Sequence, residues 1–437
     1  MKNRMRIQVV GAAFLLAMAL NSCKNTQKVP ALDAGLTQNE PVAESVKSQE
    51  GSTPTLSAMK GKFMLIDSST VRIFLDATIT NLDTANALEA INKQFKIGWA
   101  VNSDYSLRDR LASGKIEALT SAQFQQEGIH SYITFDFQRP LALREGVLLV
   151  EFADYKASKK YINDFFIDFT GKRVSDRFQL FEANDLVPMR KGYLVVGKEY
   201  ELKSINPSNE KLYLVKYTSA YGPSPSPMSS QKNQDVRELP REFTKEVASN
   251  SKIILDSPGF YALLRDSTTT ENSFGFLVVN ERFPRFTFPD QLAEPLIYMS
   301  TNPETQAIRQ NPVVKDALDL HFLQLMGGDT TKAKNTIRLF YKRVEEANDF
   351  FTSYKEGWKT DKGMIYVVMG PPNRIQKSRD REIWLYSQSR NFSEILFTFY
   401  RKPTNFIEDH YELVRYPEYQ SYWYPIVEAW RTGNVVE

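Results

Sequence analysis

Cysteine is almost missing from this chain. Cys23 is the only one, so nothing after it can form an intrachain disulfide or supply a thiol nucleophile, and the folded part must be held by packing. Histidine is nearly as scarce. His130, His321 and His410 lie far apart, without the H-x-x-x-H spacing or the cysteine partners of a zinc site, so no metal is expected. No G-x-S-x-G, P-loop or G-x-G-x-x-G occurs, which removes the commonest hydrolase and nucleotide signatures and leaves no cofactor implied. After Leu20 no apolar run approaches the ~18–20 residues of a membrane span. Net charge is lacking too. The 55 lysines and arginines exceed the 52 acids by three, and Lys2, Arg4 and Arg6 account for the excess. A neutral body argues against a nucleic-acid partner, which needs a basic face.

What is present begins at the N-terminus. The basic start is followed by an apolar run from Val9 to Leu20 and then Leu20-Asn21-Ser22-Cys23. A charged region, a short hydrophobic region and small residues before a cut site make a secretory signal over residues 1–22. Leu-x-small-Cys resembles the lipobox of bacterial lipoproteins, although Asn21 departs from the more usual Ala, Ser or Thr. That resemblance implies that Cys23 becomes the acylated first residue of the mature protein, carrying palmitate-type chains that hold it to a membrane. Residues 23–58 then read as a polar, disordered tether without apolar periodicity. At about 5–6 Å × √n its end-to-end distance is roughly 30–35 Å. No acidic cluster follows Cys23. In the Bacteroidota-like lipoproteins that this start resembles, such a cluster directs export to the cell surface. Its absence places the expected location on the periplasmic face of the outer membrane.

Residues 59–186 read as strands. Phe63–Ile66, Val71–Leu75, Phe95–Trp99, Tyr132–Phe137, Val147–Phe152 and Phe165–Phe169 are β-branched and aromatic runs broken by turn residues. Residues 187–289 repeat the pattern, with strands at Tyr193–Val196, Lys211–Tyr217, Ile253–Leu255, Tyr261–Leu264 and Phe274–Val279. Both blocks predict antiparallel, immunoglobulin-like β-sandwiches. Asp164 and Asp168 flank one strand and share a face, but four residues of strand separate them by ~13 Å, too far for paired acid/base work. The Pro/Ser alternation Gly222–Met228 must be extended; it is either a stiff inter-strand loop or a protruding element for a partner to grip.

Residues 290–437 change to helices followed by strands, an α+β module. Val313 to Leu325 follows helical spacing and Gly327-Gly328 ends it. Asp329-Thr330 then caps a second, longer helix whose apolar stripe is Ala333, Ile337, Phe340, Tyr341, Val344, Ala347 and Phe351. Three strands are expected at Met364–Met369, Glu382–Tyr386 and Glu394–Tyr400, with a short fourth at Tyr411–Val414 and a terminal helix over Ile426–Arg431.

The string Gly357-Trp358-Lys359-Thr360-Asp361, followed by Gly363, Gly370-Pro371-Pro372 and Glu382-Ile383-Trp384, resembles the GWxTD-domain proteins, bacterial envelope lipoproteins. Physically, Gly357 is expected to leave the helix through a positive φ, and Trp358 to fold back on the helix–sheet junction with its indole N–H seeking one acceptor. Thr360 and Asp361 would fix a tight turn before a strand beginning at Gly363, which Gly370, Pro371 and Pro372 end. These residues read as an architectural corner. The sharper reading groups Asp361, Arg374 and Glu382 into a polar cluster that binds a peptide or glycan. No catalytic constellation emerges. The expectation is a non-catalytic binding or scaffold subunit of an envelope assembly with a protein partner. A glycan-binding or glycan-acting protein is the alternative, and would show exposed Trp and Tyr flanked by two carboxylates ~5–9 Å apart.

Overall fold

A computed structural model describes residues 53–105, 109–205, 210–218, 221–231, 239–387 and 394–435. The signal (1–22), Cys23 and most of the tether lie outside these residues. The tether's last part does not. Thr55–Ala58 belong to the first strand, because Leu56 has an inward position to fill opposite Ile79. Among the described residues no helix is long and apolar enough to cross a membrane.

The first sandwich comprises β1 (Thr55–Leu65), β2 (Thr70–Thr80), α1 (Ala87–Gln94), β3 (Phe95–Asn102), β4 (Arg110–Ile116), β5 (Phe124–Glu127), β6 (His130–Gln138), β7 (Glu145–Asp154) and β8 (Lys159–Asp168). Two antiparallel sheets, β1-β2-β6-β5 and β4-β3-β7-β8, face each other. Alternate residues point inward, so Ile73, Leu75 and Ile133 of one sheet meet Ile97, Leu148 and Ile167 of the other in one core.

The second sandwich holds β9 (Phe178–Glu182), β10 (Tyr193–Val195), β11 (Glu199–Ser204), β12 (Lys211–Tyr217), β13 (Arg241–Ala248), β14 (Ser251–Ile254), β15 (Gly259–Leu264) and β16 (Phe274–Val279). Five strands, β10-β16-β15-β12-β13, pack on three, β14-β11-β9, and only the β10–β16 pair is parallel. Both sandwiches have the two-layer build expected of immunoglobulin-like domains. The expected boundary at 186/187 moves toward the N-terminus: β9 pairs with β11, and Val174 already sits in the second core.

The third module contains α2 (Pro289–Ala293), α3 (Asn302–Gln310), α4 (Val314–Leu325), α5 (Thr330–Phe351), α6 (Asp361–Met369), β17 (Arg374–Lys377), β18 (Arg381–Ser387), β19 (Glu394–Arg401), β20 (Tyr411–Leu413) and α7 (Gln420–Arg431). Gly327 and Gly328 take φ +61° and +89° after α4, and the Asp329 side chain accepts from Thr331 and Lys332 N–H to start α5. Helices cover one face of the antiparallel sheet β17-β18-β19-β20 through Phe340, Val344, Trp384, Phe397, Phe399 and Trp430.

One element differs in kind from its sequence reading. Met364–Met369 forms helix α6, not a strand. Its residues from Gly363 to Val368 are all buried, so the run is apolar on every side and carries no period to separate helix from strand. The end signals decide. Thr360 caps the helix by accepting from Gly363 N–H, Asp361 occupies the first turn, and Gly370 ends it at φ +83°.

Candidate functional site

The GWxTD string is the corner between α5 and α6. Gly357–Lys359 makes one 3-10 turn, after which Thr360 opens α6. Gly357 does not have a positive φ; a different constraint demands glycine there. A Cβ at Gly357 would lie 1.9 Å from the Ala347 carbonyl oxygen, and one at Gly363 would lie 1.9 Å from that of Gly357. The two glycines let α5, the turn and α6 press backbone against backbone. Trp358 is 1% exposed and packs edge-on to Tyr298 at 5.7 Å, while Tyr298 Oη donates to the Trp358 carbonyl. Its main-chain N–H donates to Asn348 Oδ1. The indole Nε1 has no hydrogen-bond acceptor among the described residues, contrary to expectation. Thr360 Oγ1 both donates to Gly357 O and accepts from Gly363 N–H.

Asp361 is fully enclosed. One oxygen accepts from Leu413 N–H at 2.7 Å and the other from the Arg415 guanidinium at 2.5 Å. Arg415 also donates to Leu413 O and to Pro225 O. Pro225 lies in the Gly222–Met228 segment, which docks instead of protruding. Ser224 is buried, and its N–H and Oγ–H both donate to Lys359 O at 2.9 Å. Tyr416 N–H donates to Pro227 O, and Met228 packs on the helical core. Lys355 reaches Gly222 O and Ser224 Oγ from below, and burial pulls its amine down to about 8 against the opposing field of Asp361. The second sandwich thus lays a strap across the motif.

A second set of buried charges adjoins the first. Glu382 accepts from Lys362 Nζ at 2.6 Å and Trp384 Nε1 at 2.7 Å. Burial pushes its carboxyl up, but Lys362 and Lys377 outweigh it and hold the group below its ordinary range. Lys377 stands opposite Glu382 in the β17–β18 register and binds both oxygens of Asp164, on the first sandwich, at 2.8 and 3.0 Å. Tyr105 Oη donates to Asp164 as well. Asp168 instead caps Thr170 N–H, so the two aspartates act separately.

The proposed grouping of Asp361, Arg374 and Glu382 is not a single cluster. Arg374 stands half-exposed on β17 beside Glu394 at 3.9 Å, whereas the other two are buried and bonded to Arg415 and Lys362. Pro371 and Pro372 lead from Gly370 into β17, and the Gly370 carbonyl accepts from Tyr386 Oη at 2.8 Å. The histidines are likewise in separate places. His321 Nε2 lies 2.9 Å from Ser300 Oγ, His130 Nδ1 lies 2.8 Å from Asp76, and His410 Nε2 lies 3.6 Å from Glu412. Sequence reasoning missed Arg415, Lys362, Lys377 and Asp164 as partners. Asp361 and Arg415 are 54 positions apart, a separation no local motif encodes. Chemically the arrangement is a set of buried acids whose oxygens are taken by cations and backbone N–H groups, joining all three modules.

Residues 259–432 match the family model of the GWxTD domain, so this part of the chain carries a GWxTD domain. The match begins at β15, so it takes in the last two strands of the second sandwich, beyond the 290–437 expected from the motif. No curated protein matches the chain. Among solved structures it is similar to the full ectodomain (Ig1–Ig3) of mouse nectin-like molecule 4, at 10% identity and a TM-score of 0.15. That alignment covers 53% of this chain and 65% of the other, just under two thirds of the latter's length.

Proposed function

We propose that this protein is a lipid-anchored subunit of a cell-envelope assembly, held to the outer membrane through Cys23 and acting by binding and scaffolding, not by catalysis. The basic start, the apolar run to Leu20 and the Leu-Asn-Ser-Cys string support the anchor. The observation that carries the scaffold reading is the use of the motif's own side chains. Trp358 and Asp361 are buried, and the acids around them are matched by Arg415, Lys362 and Lys377. Such a corner fixes the geometry of a body without presenting a reactive group. The glycan reading has less support, because Trp358, Trp384, Trp423 and Trp430 are buried and the half-buried Trp99 packs on Phe137 at 4.8 Å.

The test is crosslinking of the tagged full chain in its native envelope, mild solubilisation and identification of what accompanies it. Reproducible recovery of one envelope protein, lost when Cys23→Ala releases the chain from the membrane, is the expected result. A chain that runs as a monomer with no specific companion would overturn the reading.

A further inference from the structure

We propose that the open edge of the second sandwich receives an extended strand from a partner protein, apolar on alternate residues and carrying an acid opposite Lys245. This rests on the binding role proposed above and names its surface.

β13 is the last strand of the five-stranded sheet and β14 the last of the three-stranded one. The chain runs down β13, turns at Ser249-Asn250 and returns as β14, yet the two do not pair. β13 is bonded only to β12 and β14 only to β11 among the described residues. Each therefore has an outer edge to which no described strand is bonded. Between them is a cavity of about 290 Å³ that reaches the core, with Leu214, Val247, Ile253, Leu255 and Tyr261 in its wall. On its rim Phe243 is 40% and Ile254 54% exposed, and the Phe243 ring stands edge-on to Tyr261 at 6.1 Å.

A strand added beside β14 would lengthen the shorter sheet and cover this wall, gaining main-chain hydrogen bonds and burying its inward side chains. Charge specifies the rest. Lys245 is opposite Leu214 in the β12–β13 register, hence on the groove side. Glu246 is paired with Lys211 and Lys252 with Glu199, but Lys245 has no carboxylate partner among the described residues. A matching strand carries one acid there. The chain's own residues 24–52 lack an alternating apolar run and do not fit.

The experiment titrates fluorescent nine-residue peptides into the full chain and follows anisotropy. One peptide alternates Val and Thr with a single Glu among the inward residues. A second has the same composition with its Val residues blocked together, and a third has Lys in place of Glu. The alternating Glu peptide is expected to bind best and to crosslink from a photoreactive residue at position 254. Lys245→Glu, an exposed change checked for folding by circular dichroism, should weaken it roughly threefold or more and favour the Lys peptide by a similar factor. Equal binding of the alternating and blocked peptides, or no response to Lys245→Glu, would overturn the proposal. So would concentration-dependent dimerisation abolished by Lys245→Glu, which assigns the groove to a second copy. An envelope partner crosslinked elsewhere on the body would sink the groove while leaving the proposed function standing.

Discussion

The second sandwich has two contrasting surfaces. Its Gly222–Met228 segment is pinned to the motif corner by hydrogen bonds with Lys359, Arg415 and Tyr416. Along its β13–β14 side the same sandwich leaves core side chains beside an open cavity and, among the described residues, two strands paired on one edge only. The named motif therefore belongs to the closed surface. Its side chains are enclosed there, and the surface that carries no motif is the more open of the two.

The comparison is broken most severely by Gly357→Ala. The added methyl meets backbone at 1.9 Å, which no side-chain rotation relieves, so we expect a loss of about 3 kcal/mol or more, read from urea unfolding. Retention of wild-type stability would show that the corner is looser than its geometry. Next comes Asp361→Ala, which strands Arg415 in the interior and is expected to cost about 3–5 kcal/mol, with part of the loss recovered in the Asp361→Ala/Arg415→Met double variant.

A smaller, pH-dependent effect is expected at Asp176. Burial, followed by the nearby Glu408, raises its carboxyl to about 8. In the unfolded chain it ionises near 4, so between those values the native state holds a proton that the unfolded state has lost. Its contribution is complete at low pH and falls as pH rises through that window. Asp176→Asn should gain on the order of 2 kcal/mol relative to wild type at pH 8 and much less at pH 5, measured by denaturant midpoints at both. Equal gains at the two pH values would refute the assignment. Smallest is Ser224→Ala, which keeps the main-chain bond to Lys359 and should lose only about 0.5–1.5 kcal/mol by the same assay.

Much of the fold was legible in the residues because local chemistry decided it. Val71, Ile73 and Leu75 alternate on β2 and all three are buried. Asp329 and the paired glycines before it mark the junction of α4 and α5. Legibility failed where the deciding partner is distant or the pattern is uniform. The α6 run is buried all round, so its apolar sequence suits either structure. β13 fails in the opposite way, since Arg241-Glu242-Phe243-Thr244-Lys245-Glu246 is exposed throughout and shows no alternation. The motif was legible as a corner from its glycines and its Thr-Asp pair. The reason for the glycines was not, because the Ala347 carbonyl is placed by the packing of a whole helix. Nor could the sequence pair Asp164 with Lys377, 213 residues further on.

The family match starts at Gly259, the first residue of β15, in the middle of a sheet. β15 bonds to β12 on one side and to β16 on the other, and β16 bonds in parallel to β10. Severing the chain before Gly259 would therefore separate no finished unit from another. It would yield two unfinished polypeptides, the first lacking the centre of its sheet and the second carrying orphaned strands, and native circular dichroism should return only when the halves are mixed.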